Sequence, residues 1–180
     1  MHPELRAATF ADQPAIQRLI EASVRELSAS HYNPAQIEAS LTTAFSVDTQ
    51  LIADGTYYVA HVAGELAACG GWSWRKTLCG GSHHVHRDAS PMNPAIDAAK
   101  IRAIFVDPRY ARRGLGTLLL RRAEEAAIAA GFSRMEMGAT LVGVPLYRRE
   151  GYVEVERMNI PLRDGITLPV VRMVKIVVPA

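Results

Sequence analysis

One stretch near the middle of the chain constrains the fold more than any other. Residues 100–106, which are apolar except for Lys100 and Arg102, end at Asp107-Pro108. A helix-forming segment rich in Ala and Leu follows Gly114-Leu-Gly116 and ends at Gly131. This pattern is typical of a strand, a short loop and a helix. The N-terminus of a helix carries unpaired N–H groups and the positive end of the dipole. The junction therefore predicts an anion site, with phosphate as the favoured ligand.

The loop at this junction is suited to close contact with an anion. Gly114 and Gly116 place no Cβ between the backbone and a ligand. Three arginines add positive charge: Arg109, Arg112 and Arg113. The dinucleotide fingerprint is excluded because Leu119 stands where its third glycine is required, and the Gly-Lys-Ser/Thr string of a P-loop does not occur. The residues alone leave two interpretations, a pyrophosphate site or a helix start with solvated arginines.

In the rest of the chain, segments whose hydrophobic residues have the spacing of a β-strand alternate with segments whose hydrophobic residues have the spacing of a helix. Further strands are predicted at residues 5–9, 56–62, 65–74, 135–140, 152–162 and 168–178, and further helices follow Asp12, Asn33 and Gly143. The order β-αα-βββ-α-β-α-ββ predicts one mixed α/β domain over residues 1–180. Residues 75–94 lack a period and are predicted to form a long loop.

Composition limits the classes of protein that need considering. The formal net charge of +2 over 180 residues does not indicate a nucleic-acid binder. No run approaches the roughly 20 apolar residues of a membrane span, and no apolar signal region is present. Cys69 and Cys79 are expected to be reduced thiols. We therefore expect a cytoplasmic protein that binds neither nucleic acid nor membrane, and whether it forms a homodimer is left open.

Two motifs together resemble one family. Arg112-Arg-Gly-Leu-Gly-Thr117 is similar to the pyrophosphate loop of the GNAT-type acyl-CoA N-acetyltransferase superfamily, written Gln/Arg-x-x-Gly-x-Gly/Ala, although Ala111 holds the Gln/Arg position. Leu146-Tyr-Arg-Arg-Glu-Gly-Tyr152 resembles the Leu-Tyr…Gly-Phe box of that family, and Thr140 replaces an asparagine often found before it. The resemblance implies a GNAT-like fold, with a central mixed, mostly antiparallel sheet flanked by helices.

The resemblance also implies a site for acetyl-CoA as co-substrate, without a metal. The pyrophosphate would bind the backbone amides of Arg112, Arg113, Gly114, Leu115, Gly116 and Thr117. The pantetheine arm would lie between the strands that end at Val106 and Thr140, with Thr140 as one contact. Main-chain N–H groups near Phe105 and Val106 would polarise the acetyl carbonyl. An acceptor amine would attack directly in a ternary complex, and Tyr147 would protonate the departing thiolate.

Several residues keep two interpretations. Tyr147 is either the general acid or core packing. His31 and Tyr32 join the first two helices and either pack on the surface or contact the acceptor, and Trp72 shares a strand face with Trp74 as packing or as an acceptor contact. The charges at Arg121, Arg122, Glu124 and Glu125 are expected to be solvated.

The base that deprotonates the acceptor is not identified by the sequence. Lys100 and Arg102 stand where some relatives carry a glutamate, and neither suits a base at neutral pH. A histidine or water remains. His83, His84 and His86, near Asp88, match no standard zinc spacing, so we expect no metal there; the same loop could cover the acceptor site.

The sequence thus predicts acetyl transfer from acetyl-CoA to a primary amine of a small molecule. The preference for a small acceptor rests on the resemblance alone. Three alternatives are kept: an N-acetyltransferase for a protein or peptide, a non-catalytic acyl-CoA-binding module, and a metal-binding regulatory protein built on the histidine loop.

Overall fold

A computed structural model describes residues 2–78 and 88–177. The strands are β1 Glu4–Ala7, β2 Tyr57–Val62, β3 Glu65–Ser73, β4 Ala99–Val106, β5 Arg134–Thr140, β6 Val153–Pro161 and β7 Thr167–Ile176. The helices are α1 Gln13–Leu27, α2 Pro34–Thr43, α3 Thr49–Ala53, α4 Leu115–Ala129 and α5 Val144–Arg149. The strands form one sheet in the order β1-β2-β3-β4-β5-β7-β6, in which β4 and β5 pair in parallel and the other neighbours are antiparallel. The predicted mixed α/β fold is confirmed.

Each face of the sheet is covered by its own apolar core. Helix α4 buries Leu119, Ala123 and Ala127 against one face, at the spacing of a single helical stripe. Helix α1 buries Ile16 and Ile20 against the opposite face. Because side chains alternate along a strand, β2, β3, β4 and β7 contribute to both cores, whereas the buried apolar side chains of β5 all belong to the core beneath α4. Each fully buried Leu or Ile contributes about 1.5–3 kcal/mol to folding, so the two layers hold the sheet between them.

A bulge interrupts β4 next to β3. Phe105 lies opposite Cys69, yet Arg102 lies opposite Gly71, so two residues of β4 face Gly70 alone. One of them, Ala103, has a φ of +54°. A Cβ on Gly70 would lie 3.0 Å from Cα of Ile104, which makes glycine the residue that the close approach requires. A bulge bends its strand and raises the local twist.

The bend in β4 is accompanied by a gap in the sheet. Strands β4 and β5 pair only at Ala99 with Met135 and at Lys100 with Glu136. Beyond Lys100 their ladder ends, while both strands continue to Val106 and Thr140. The facing edges of the two strands therefore keep unpaired backbone groups, which a ligand can reach.

The structure corrects several local predictions. The short helix α3 was not predicted, and α4 begins at Leu115 with Gly114 as its N-cap. Glu124 was expected to be solvated but is buried, because it accepts hydrogen bonds from the Tyr152 hydroxyl at 2.8 Å and from the Lys175 ammonium at 2.9 Å.

Two expectations concern the compartment and the thiols. Among the described residues, every helix is too short or too polar to cross a bilayer. Cys69 is a buried free thiol, whereas Cys79 lies outside the described residues. Burial raises the pKa of the Cys69 thiol to about 12, which leaves it protonated and unreactive at neutral pH.

Candidate active site

A cavity of about 620 Å³ crosses the molecule at the gap between β4 and β5. At one end it is lined by the loop before α4 and the first turn of that helix, including Gly114 and Thr117. In the middle it meets Thr140 and Tyr147, and at the far end it reaches the end of α1 and His31. We call the first end the cofactor half and the far end the acceptor half.

The cofactor half is built from backbone. The amides of Tyr110 and Ala111 are bonded to carbonyls within the loop, and regular helical bonding begins with the Leu118 amide on the Gly114 carbonyl, 3.0 Å away. Between them, the six amides of residues 112–117 make no hydrogen bond to any described residue. Arg112 (φ +63°) and Gly114 (φ +87°) adopt left-handed conformations, which turn successive N–H groups toward one side. Such a concave row of N–H groups binds anions.

Each glycine of this loop has its own steric reason. Nothing lies within 4 Å of a Cβ built on Gly114, so its left-handed backbone, and not crowding, favours glycine there. At Gly116 a Cβ would lie 3.1 Å from Cδ2 of Leu146. That close contact brings the N-terminus of α4 against α5, and so joins the two motifs on which the family resemblance rests.

The arginines around the loop divide into two groups. Arg112 lines the cavity, and so does Arg149 of α5, which the sequence reasoning did not single out. Its signal was its place two residues after Tyr147. Arg113 does not line the cavity and instead lies over the Tyr110 ring, at 5.7 Å. Arg109 also points elsewhere, bonded to Asp107 and Glu65.

Main-chain N–H groups of β4 face the gap at alternate residues. The Asp107 amide donates to the Ala67 carbonyl beside β3, at 2.9 Å. By strand alternation the Phe105 amide also faces β3, whereas the amides of Ile104 and Val106 face the gap. The sequence reasoning named Phe105 and Val106; the geometry favours Ile104 with Val106. The Phe105 side chain still lines the cavity.

Tyr147 lies at the middle of the cavity wall. The residue is buried, with 8% of its surface exposed, and its ring packs edge-on against the Tyr152 ring, with 6.0 Å between centroids. Burial raises the pKa of the Tyr147 hydroxyl above its ordinary value, which keeps the hydroxyl protonated. That hydroxyl makes no hydrogen bond to any described residue. Gly143 makes room for the ring, since a Cβ there would lie 2.8 Å from Cε2 of Tyr147.

The two candidate residues of the α1–α2 loop, His31 and Tyr32, lie in different surroundings. His31 is exposed and lines the acceptor half, with Nδ1 2.9 Å from the Ser30 hydroxyl. Tyr32 is buried and does not line the cavity. Its hydroxyl donates to the Pro169 carbonyl at 2.7 Å and accepts from the Leu141 amide at 2.9 Å. Tyr32 thus ties the loop that carries His31 to β7 and to the end of β5.

Comparisons with known proteins identify the family of this chain. A model of the acetyltransferase (GNAT) family matches residues 18–152, three quarters of the chain. The chain belongs to the GNAT acetyltransferase family. A comparison with curated protein sequences found no match.

Many solved structures of GNAT proteins share the fold. The GCN5-related N-acetyltransferase from Rhodopseudomonas palustris has 23% identity and a TM-score of 0.75, covering 98% of this chain and 97% of its own. YncA from Salmonella typhimurium, solved with its cofactor acetyl-CoA, has 18% identity and a TM-score of 0.65, with coverages of 100% and 96%. The ribosomal-protein-S18-alanine N-acetyltransferase from Escherichia coli has 17% identity and a TM-score of 0.62, with coverages of 99% and 96%.

Other candidates lie away from the cavity of this GNAT chain. Trp72 was a candidate acceptor contact, but it is buried against Trp74 and Phe132 on the α4 side of the sheet and does not line the cavity. The position of Trp72 is therefore explained by packing in the core. Lys100 is bonded to Glu136 and does not line the cavity either.

The remaining charged candidates are accounted for as follows. Arg102 does stand in the wall, where its guanidinium donates to Asp48 and to the Thr77 carbonyl, at 2.8 and 2.7 Å. His83, His84 and His86 lie outside the described residues. Within residues 2–78 and 88–177, no three His, Cys, Asp or Glu side chains converge as a metal site requires.

Proposed function

We propose that this GNAT protein transfers the acetyl group of acetyl-CoA to the primary amine of a small molecule, by direct attack in a ternary complex. One observation carries the proposal. The six amides of residues 112–117 make no hydrogen bond to any described residue, and five of these residues line one cavity whose wall also includes Tyr147 and His31. Two substrates can therefore meet inside one cavity, which direct transfer requires.

The cofactor half supplies binding. The amides of residues 112–117 would hold the pyrophosphate, and the guanidinium groups of Arg112 and Arg149 would add charge complementarity. The pantetheine arm would follow the gap between β4 and β5, beside Thr140. There it would accept hydrogen bonds from the amides of β4 that are not paired with β5. In that position the thioester carbonyl would accept a hydrogen bond from the amide of Ile104 or Val106, which stabilises the oxyanion of the tetrahedral intermediate.

The chemistry needs two proton transfers. The amine nitrogen attacks the acetyl carbon and forms the C–N bond, and the carbonyl π electrons move to oxygen. The nitrogen then loses its proton to His31, the lining imidazole, which releases it to water. When the oxyanion collapses, the C–S bond breaks and the thiolate takes the proton of the Tyr147 hydroxyl. Solvent returns a proton to Tyr147, and the products are an N-acetyl amide and CoA.

The acceptor size is tested with acetyl-CoA and a panel of acceptors. Butylamine, phenylethylamine and a peptide with an N-terminal alanine are compared by release of the CoA thiol. We expect turnover of at least one small amine, with the peptide slower. Acetylation of the peptide alone would instead support a protein acetyltransferase, as the similarity to the S18-alanine enzyme allows. Tight binding of acetyl-CoA without turnover of any amine would support a non-catalytic module.

A further inference from the structure

The acceptor half of the cavity has a distinctive chemistry. Its wall includes four serines, Ser23, Ser28, Ser30 and Ser46, beside the apolar residues Leu27 and Phe45. Among the described residues, no Asp or Glu lines any part of the cavity. The segment 79–87 contains no Asp or Glu in its sequence, so it has no carboxylate to contribute.

The buried carboxylates on this side of the sheet are already bound. Asp48 is fully buried and accepts from Arg102 at 2.8 Å. Glu136 is bonded to Lys100 and accepts from Arg172 at 3.0 Å. Neither carboxylate lines the cavity. Arg102 is the arginine of this wall, but its side chain is 3% exposed and its guanidinium is bonded to Asp48. This half of the cavity therefore offers serines and apolar surface, with no negative charge for a cation.

A second positive charge on the acceptor would be costly here. An ammonium group that enters the wall loses hydration, and the loss is compensated only where a carboxylate or several acceptors replace water.

We propose that the acceptor is a monoamine with an uncharged body, and that polyamines and other polycationic amines are excluded by the lack of a carboxylate in the acceptor half. This inference rests on the proposed function. The inference goes beyond the proposed function because it specifies the charge of the acceptor, and the experiment varies that charge.

The experiment compares three amines of equal chain length: butylamine, 1,4-diaminobutane and 4-aminobutanoate. Their binding to the protein saturated with CoA is measured by calorimetry, so turnover is not required. We expect butylamine to bind about tenfold more tightly than the diamine, and more tightly than the amino acid. Equal or tighter binding of either charged analogue would overturn the inference, and so would failure of butylamine to bind. Failure of the proposed function would appear elsewhere, as binding without release of CoA from acetyl-CoA.

A pair of variants tests whether the missing carboxylate is the cause. Ser30→Asp places a carboxylate at an exposed lining position, whereas Ala29→Asp adds the same charge to the same loop at an exposed position outside the lining. We expect Ser30→Asp to improve binding of 1,4-diaminobutane relative to butylamine by several-fold, and Ala29→Asp to leave that ratio unchanged. An equal change in both variants would show long-range attraction by net charge, and no change in Ser30→Asp would show that the wall does not select charge; either result contradicts the inference.

Discussion

The two halves of the cavity are built in different ways. The cofactor half is built mainly from one continuous segment, residues 112–117, whose backbone amides make no hydrogen bond to any described residue and would bind the pyrophosphate in the proposed function. The acceptor half is assembled from side chains at the end of α1, after α2 and on β4. A site made of backbone amides depends on the conformation of the chain, so it requires particular residue types mainly at its glycines and at the start of the helix. A side-chain site depends on identity at positions far apart in the sequence. The same fold can therefore keep its cofactor while its acceptor changes.

The halves also differ in charge. Arg112 and Arg149 reach the cofactor half, where phosphates would neutralise them. In the acceptor half the Arg102 guanidinium is paired with Asp48. Tyr147 stands where the halves meet, and substitutions on either side of it should therefore separate binding of acetyl-CoA from transfer.

The largest expected effect is at that meeting point. Tyr147→Phe keeps the buried ring and its contact with Tyr152 but removes the proton donor. General acid catalysis typically raises a rate by roughly 100-fold or more. The loss of rate in the variant would be smaller if the CoA thiolate can leave without a proton donor. We expect kcat to fall by about 100-fold while the Kd of acetyl-CoA, from calorimetry, stays within about twofold. Equal losses in both quantities, or none in either, would identify Tyr147 as packing.

The next largest effect breaks the cofactor half alone. Gly114→Asp places a carboxylate in the open space beside the unpaired amides, where the pyrophosphate should lie. Asn and Asp both tolerate the left-handed conformation better than other side chains, so Gly114→Asn is the matched control without charge. We expect the Kd of acetyl-CoA to rise by about tenfold or more in the Asp variant, and much less in the Asn variant. Wild-type affinity in a folded Asp variant would remove this loop from the cofactor site.

Elements with a strong period were predictable from the sequence. The strands predicted at residues 56–62 and 65–74 are found as β2 and β3, which pair antiparallel. Glu124 shows where periodicity fails. It stands beside the buried stripe of α4, and its burial depends on Tyr152 and Lys175, which lie 28 and 51 residues away. A partner at such a distance leaves no mark in the local pattern.

The candidate site was predictable to the extent that it is local. The glycines and the helix start predicted an anion site at this junction, and the family resemblance implied the amides of residues 112–117. The sequence reasoning named the adjacent residues Phe105 and Val106, but N–H groups alternate along a strand, so Val106 faces the gap together with Ile104 and not with Phe105. Tyr32 and His31 are adjacent in sequence, yet one is buried beneath the loop and the other lines the cavity. Only the long-range bonds of Tyr32 to Leu141 and Pro169 separate them.

A smaller effect is expected in the acceptor half. His31→Gln removes the lining imidazole and keeps a polar side chain of similar size. Because His31 is exposed, water can replace it as proton acceptor, and we expect kcat/KM for a small amine to fall by about fivefold, below the usual range for a buried base. The Kd of acetyl-CoA should not change. Added imidazole should restore part of the rate in this variant, and a lack of any loss would leave water as the proton acceptor.

The smallest effect sharpens the boundary of the cofactor half. Arg109 carries as much charge as Arg149, but its guanidinium is exposed and bonded to Asp107 and Glu65 outside the cavity. Charges at an exposed rim are screened within about 8 Å at physiological salt. We therefore expect Arg109→Ala to change the Kd of acetyl-CoA by less than about twofold, and Arg149→Ala to raise it by about threefold. Both Kd values are measured at low and at physiological salt. If Arg109→Ala weakens binding as much as Arg149→Ala at both salt concentrations, the cofactor half extends past the amide row to the start of the loop.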